Sequence, residues 1–415
     1  MSQTTFPPVP IGLPRELNAK LLVTTPMFIG DGEQQTRSIR PPAIKGALRF
    51  WWRALNWGRQ LKQAQGNEKA ALAALHQAEA DLFGSAAGQD KGHQARFQLR
   101  VESMENGSPV NLPNPGPNDS LGYLLGQGLY NFKTGVQRPC IPSGATFILT
   151  LKEKPGSHKP TAKQWEQLEE TLWVFGLLGG LGSRARKGLG SIAIQELSGG
   201  SLQAPKSAAE YEQALKTLRD RLETPASQLP PFTAFSGLCR LDLSAQGTQP
   251  LSLLREVGQQ QQLYRSWGRE EKVLGRPAEQ NFGDDHDNAL AATRGNRPKN
   301  PPKRAVFGLP HNYFFSSTKG KVDINAPTER RASPLFIHIH QCPDGSSIAV
   351  QLLMPAQFLP KGQEKLVYKP GGQRSFDVPF TADQVDWSVI TTYMNRFGVD
   401  PLWQPHASLT QGAKS

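Results

Sequence analysis

The order of strand-like and helix-like stretches over the first 200 residues most restricts the folds open to this 415-residue chain. LNAKLLVTTP (18–27) patterns as a strand, and AIKGALRFWWRALNWGRQL (43–61) as a helix introduced by Pro41 and Pro42, whose fixed φ suits a first helical turn. ARFQLRV (95–101) and ATFILTLK (145–152) read as strands joined through Asn, Gly and Pro. TAKQWEQLEETLWVFGLL (161–178) is then a helix with Thr161 at its N-cap, and LGSIAIQEL (189–197) a strand. The sequence βαββαβ predicts a split βαβ unit: two helices cover one face of a four-stranded antiparallel sheet and leave the other face free for a ligand.

A helix over 207–222 leads into a second half that repeats the theme less clearly. FSGLCRLDL (235–243), LSLLREVGQQQQLYRSWG (251–268), SPLFIHIHQ (333–341), SIAVQLLMP (347–355) and TADQVDWSVITTYMNRFG (381–398) give βαββα, with no final strand evident. The expected class is therefore α+β, with two tandem ferredoxin-like (RRM-like) βαββαβ domains over 1–200 and 201–415 and long loops and insertions. Residues 269–332, polar, basic and rich in Gly and Pro, read as an insertion or long loop whose length points to function. With 37% apolar residues the chain can bury cores of this size.

A net charge of +12 favours a polyanionic partner, and the cations are grouped. No acid occurs between Glu33 and Glu68, where Arg37, Arg40, Lys45, Arg49, Arg53, Arg59 and Lys62 lie. None occurs from Thr171 to Gln195, around Arg184, Arg186 and Lys187, nor from Asn288 to Val322, around Arg294, Arg297, Lys299, Lys303, Arg304, Lys319 and Lys321. On the first helix Ile44, Leu48, Trp51 and Leu55 form the core stripe, with Lys45, Arg49 and Arg53 beside it. That flank is either a solvated helix face or a track for phosphates, with Trp52 at its border placed to pack or to stack a base. No apolar run is long enough to span a bilayer, and the start MSQTTFPPVP lacks the features of a signal peptide, so a cytoplasmic protein without a membrane partner is expected.

GGLGSRARKGLGS (179–191) holds five glycines, three cations and no acid. Gly180, Gly182 and Ala185 fit a dinucleotide fingerprint, as do Gly188, Gly190 and Ala193, but that fingerprint works only after a strand and at the start of a helix. Here the run leaves a helix and enters a strand, and no G-K-[ST] ending follows. Two readings stay open: a helix stop followed by a turn, or a loop whose backbone approaches a polyanion while Gly182, Ser183, Arg184, Arg186 and Lys187 contact phosphates.

In this setting GLGSRARKGLGSI resembles the glycine-rich loop of the RAMP (repeat-associated mysterious protein) superfamily of CRISPR systems. PPAIKGALRFWWRAL (41–55) is similar to the first-helix signature of the first-named Cmr subunit family of type III-B effector complexes, and FGLPHNY (307–313) and RRASPLFIHI (330–339) resemble blocks in its second half. The resemblance implies two fused ferredoxin-like domains and a place in an RNA-guided complex beside other RAMP subunits. There the chain would help hold the 3′ region of the guide RNA and the paired target RNA without cutting the target. The candidate RNA contacts are then Arg37, Arg40, Lys45, Arg49, Trp52 and Arg53, the loop residues named above, and Arg294, Lys303, Arg304, Arg330 and Arg331 from the second half.

Catalytic chemistry is weaker. DDHDN (284–288) contains an HD pair but reads as a solvated acidic patch in a loop, because metal-dependent hydrolysis needs further ligands. His338 and His340 share a strand face without a third ligand and read as polar-face histidines near RNA. Asp31, between Gly30 and Gly32, sits where some RAMP subunits carry a cutting aspartate, though a plain turn accounts for it. The rival to an RNA-binding subunit is thus a metal-dependent ribonuclease using Asp31 or the 284–287 cluster; a scaffold for acidic protein neighbours is a third reading. Cys140, Cys239 and Cys342, widely spaced, are expected to be core thiols, and neither metal nor cofactor is expected.

Overall fold

A computed structural model describes residues 13–30, 33, 35, 36, 38–86, 92–223 and 228–406. Arg37 and Asp31 lie outside the described residues. The fold is mixed α and β with antiparallel sheets. Strand β1 (Glu16–Val23) alternates buried and half-buried residues, and Leu17, Ala19, Leu21 and Val23 enter the core. Its period of two matches a sheet with one covered face. Helices α1 (Pro41–Gln63) and α2 (Glu68–Phe83) follow, then β2 (Phe97–Glu105), β3 (Thr146–Glu153), α3 (Ala162–Leu178) and β4 (Ile192–Ser198). Thr161 caps α3 in a reciprocal box with Gln164, as its position before the helix required. The strands lie in the order β2-β3-β1-β4, every pair antiparallel.

The added helix is α2, which the sequence reading passed over. Its Leu75, Leu82 and Phe83 are buried, and it covers the flank of α1 expected to face solvent or RNA. Trp52 is consequently 1% exposed, edge-on to Phe83 at 6.1 Å, which corrects its assignment as a base stacker.

Beyond α4 (Ala208–Arg221), β5 (Arg240–Gly247) and α5 (Pro250–Arg265), residues 269–332 are not a long loop. They contain α6 (Gly283–Thr293), β6 (His311–Phe314) and β7 (Lys321–Asn325). Next come β8 (Leu335–Gln341), β9 (Ser347–Leu353), β10 (Lys365–Pro370), β11 (Phe376–Pro379) and α7 (Ser388–Asn395). Two sheets result, ordered β8-β9-β5 and β6-β7-β10-β11. The second joins β6 and β7 to the later β10 and β11 around a core of its own that includes Val322, Ile324, Leu366, Tyr368 and Val378. Where a last strand beside β5 would lie, Trp403 and Leu241 exchange two backbone hydrogen bonds of 3.1 and 3.2 Å.

The outer edge of β8 is docked onto the first half of the chain. Ile337 N–H donates to Arg186 O at 3.0 Å, Ile339 N–H to Ser191 Oγ at 3.2 Å, and Thr24 Oγ1 to Ile339 O at 2.6 Å. Those bonds satisfy an edge that would otherwise offer unpaired backbone groups. His338 and His340 lie in this seam, 2% and 0% exposed, which corrects their reading as polar-face histidines near RNA. His338 Nδ1 reaches Gly179 O at 3.0 Å, and His340 stacks on Tyr211 at 3.9 Å. Burial drives both imidazoles neutral, His338 down to about 3.

Candidate nucleic-acid interface

The glycine run joins α3 to β4 by folding back on itself. Leu181 N–H donates to Gly190 O at 2.9 Å, Gly190 N–H to Pro26 O at 3.0 Å, and Ser183 N–H to Phe28 O at 2.8 Å. Gly182 and Gly190 have φ of +85° and +63°, and a Cβ on either would stand 2.5 Å from Phe28 O or 2.1 Å from Leu181 O. Those two glycines are therefore demanded by the chain's own close approach. The fold-back exposes Gly182 and leaves Gly180 and Ser183 half-buried beside the segment after β1 and the first turns of α1, while Leu181 is buried.

Between these three lies a cleft of about 490 Å³, lined by Phe28, Ile29, Gly30, Ala43, Ala47, Arg138 and the loop residues Gly180, Leu181, Gly182 and Ser183. Small side chains on α1 and bare backbone in the loop give it width. Its charge comes from Arg138, which donates from Nη2 to Ser183 Oγ at 2.6 Å while its Nε has no hydrogen-bond partner among the described residues. Arg40 stands exposed at the start of α1, 3.4 Å from Gly30 O. The reading by segments missed Arg138, although it sits in a fourth stretch without acids, from Ser120 to Lys152.

The three loop cations have different surroundings. Arg184, at φ +65° and exposed, donates to Leu125 O at 3.1 Å and Gln127 O at 2.7 Å. Arg186 lies over the rings of Phe336 at 4.5 Å and Phe50 at 5.4 Å and donates to Ser333 O at 2.5 Å; burial, then Arg331, lowers it to about 10. Lys187 points at the Tyr123 ring, 5.3 Å away, and burial, then Arg265 and Arg184, lowers it to about 7. Arg330, exposed, bears on Arg184, so the glycine loop and the second-half cations meet. Arg331 is held over Phe358 at 5.4 Å and bonded to Gln357 O.

The track on α1 is differently disposed. Arg49 and Arg53 both pair with the buried Glu79 of α2, at 2.9 and 3.0 Å, so one carboxylate offsets two of the expected phosphate-binding charges. Lys45 lines a separate recess with Arg49, His93 and Lys154, and burial, then those neighbouring cations Arg49 and Lys154, lowers its pKa. Arg294 is exposed at the end of α6, and Lys303 is exposed beside Arg304. Arg304 itself is occupied by Arg265 O, the Tyr313 hydroxyl and Asp285.

The acidic cluster also reads differently in three dimensions. Residues 284–287 form the first turn of α6, not a loop, and Asp285 is 3% exposed, accepting the Lys303 and Arg304 N–H groups at 2.8 and 2.9 Å. His286 stacks on Trp267 at 4.0 Å. Among the described residues no three His, Cys, Asp or Glu side chains converge as a metal site. Cys140, Cys239 and Cys342 are buried free thiols, each raised by burial to about 11.

Residues 20–193 match the family model of the RAMP superfamily. Over 188 residues the chain is 26% identical to the CRISPR system Cmr subunit Cmr1-1 of Pyrococcus furiosus; the match covers 44% of this chain and spans half the length of that relative. Among solved structures, the apo crystal structure of Cmr1 from Pyrococcus furiosus is similar at 19% identity and a TM-score of 0.47, covering 94% of this chain and 99% of that one. A chain in the cryo-EM structure of the type III-B Cmr-beta complex bound to cognate target RNA is similar at 14% identity and a TM-score of 0.46, covering 93% and 99%.

Proposed function

We propose that this chain, whose residues 20–193 match the family model of the RAMP superfamily, is a non-catalytic RNA-binding subunit of a type III-B CRISPR effector complex. In this reading it comprises two ferredoxin-like units meeting near residue 200, works in the cytoplasm beside other RAMP subunits, and holds the 3′ region of the guide RNA with the paired target RNA. The 26% identity to the Cmr1-1 subunit supports the choice of complex. No helix among the described residues is long and apolar enough to cross a membrane.

The observation that carries the reading is the cleft beside the glycine loop. Arg40, Arg138 and Arg184 lie at or near it, and small residues and loop backbone leave room for a sugar-phosphate chain. Sequence specificity then comes from guide pairing, and this chain supplies backbone contacts.

The test is RNA affinity measured against salt. Replacing Arg40, Arg138 and Arg184 together by Ala should reduce the slope of log K against log salt by about 2, at roughly 0.7 per phosphate contact on a single strand. An unchanged slope would remove the cleft from the interface. Incubation of the purified chain with labelled guide and target RNA, with and without magnesium, tests the non-catalytic assignment. Cleavage that Asp31→Ala abolishes would overturn it.

A further inference from the structure

Phe132, 81% exposed, is the most exposed phenylalanine among the described residues. It opens the turn of a short hairpin in which Tyr130 pairs with Val136 and Asn131 with Gly135. Single apolar side chains are common on a protein surface, so exposure alone says little. What sets this ring apart is how firmly the segment beneath it is held, and to what.

Side chains lock the turn from within and from below. Lys133 N–H donates to Asn131 Oδ1 at 2.9 Å, Gln137 Nε2 to Thr134 Oγ1 at 2.8 Å, and Val136 N–H to Asn114 Oδ1 at 2.7 Å. Both feet of the hairpin are tied to the glycine loop. Before it, Leu125 O and Gln127 O accept from Arg184 at 3.1 and 2.7 Å; after it, Arg138 Nη2 donates to Ser183 Oγ at 2.6 Å. Phe132 stands six residues before Arg138, a contour of no more than about 20 Å. A nucleic-acid strand lying in the cleft needs only a few nucleotides to reach it. The surroundings carry one sign of charge. The Lys133 ammonium lies 5.8 Å from the ring centroid, and no acid occurs from Ser120 to Lys152.

From this we infer that Phe132 is a stacking platform for one base of an RNA strand that occupies the cleft. The inference rests on the RNA-binding reading above and adds a base contact to its backbone contacts. An unpaired base offers a flat face while its charge sits on the phosphates to either side, which suits an exposed ring set among Lys133, Arg138 and Arg184. Stacking of this kind is tolerant of sequence, because every base has such a face.

Binding of single-stranded RNA to the full chain across a salt series tests it. Phe132→Ala should weaken binding by about fivefold to a hundredfold, the loss of one base stack. It should leave the slope of log K against log salt unchanged, because a neutral ring releases no counterion. Phe132→Trp should keep the affinity, and the fluorescence it adds should be quenched as RNA binds. Against abasic RNA of equal length, the unaltered chain and Phe132→Ala should bind alike. Undiminished binding of Phe132→Ala to intact RNA, a deficit that persists against abasic RNA, or unquenched fluorescence in Phe132→Trp overturns the platform; the first of these leaves an acidic protein neighbour as the ring's partner. The two readings fail separately. A salt slope unmoved by replacing Arg40, Arg138 and Arg184 removes the cleft, undiminished affinity in Phe132→Ala removes the platform alone, and no RNA binding by the unaltered chain removes both.

Discussion

Arg184 and Arg186 stand two residues apart in one glycine-rich loop, and their single replacements should have opposite consequences. Removing the Arg186 side chain deletes a charged hydrogen bond to Ser333 O, worth about 1.5–3 kcal/mol, and two ring contacts of about 0.5–2 kcal/mol each. These terms overlap, and the burial that lowers its pKa to about 10 is a cost the variant escapes. The net expectation for Arg186→Ala is a loss of about 1–3 kcal/mol, since the contacts tie β8 to the loop. Its salt slope for RNA should stay that of the unaltered chain.

Arg184→Ala has the reverse profile. Its bond to Gln127 O is exposed and that to Leu125 O half-buried, so stability should change by about 1 kcal/mol or less, while the salt slope should fall by about 0.7. Urea denaturation and filter binding across a salt series measure both quantities on the same preparations. If Arg186→Ala flattens the slope as much as Arg184→Ala and leaves the urea midpoint unmoved, the division between a structural and an RNA-facing arginine is wrong.

Three further outcomes are expected. Trp52→Ala should cost about 3–5 kcal/mol in urea unfolding without altering RNA affinity under conditions where it is folded, whereas lost affinity at full stability would restore the stacking role. Gly190→Ala, whose Cβ meets the Leu181 carbonyl, should be far more destabilising than Gly128→Ala, which has a φ of +90° and open space, and therefore only a strain of about 1–2 kcal/mol; equal shifts in thermal midpoint would contradict this. His338 and His340 are held below their unfolded value of about 6.5, so the unfolded chain binds more protons and stability falls as pH drops below it. The loss should approach about 1.4 kcal/mol per pH unit for each histidine between about pH 6 and 5, and His338→Gln should remove its share.

The first half was legible because its strands and helices carry strong periods and recognised ends, such as the Thr161 cap. What failed there was α2: NEKAALAALHQAEADLF is rich in alanine, so its buried Ala71, Leu75 and Leu82 make only a faint stripe. Missing that helix had a chain of effects. With the flank of α1 left bare on paper, Arg49, Arg53 and Trp52 seemed free to meet RNA, when Glu79 and Phe83 already occupy them. In the second half, β6 and β7 span four and five residues, and the strands completing their sheet lie some forty residues further on. Strands that short, paired across that separation, leave little periodic signal.

The glycine run shows where local reading stops. Residue types told correctly that backbone would pass unusually close to something, but the partner at Gly182 and Gly190 is Phe28 and Leu181 of the same chain. Three cations within four residues then diverge because each meets different distant groups: the carbonyls of Leu125 and Gln127 at the end of the short helix 121–125 for Arg184, β8 and α1 rings for Arg186, and the Tyr123 ring for Lys187. Net charge along the sequence is the same for all three, whereas the charge available to a phosphate is set by what has already desolvated or bonded each head group. An acid-free stretch therefore locates a basic surface, and only its tertiary partners decide which of its cations a nucleic acid can reach.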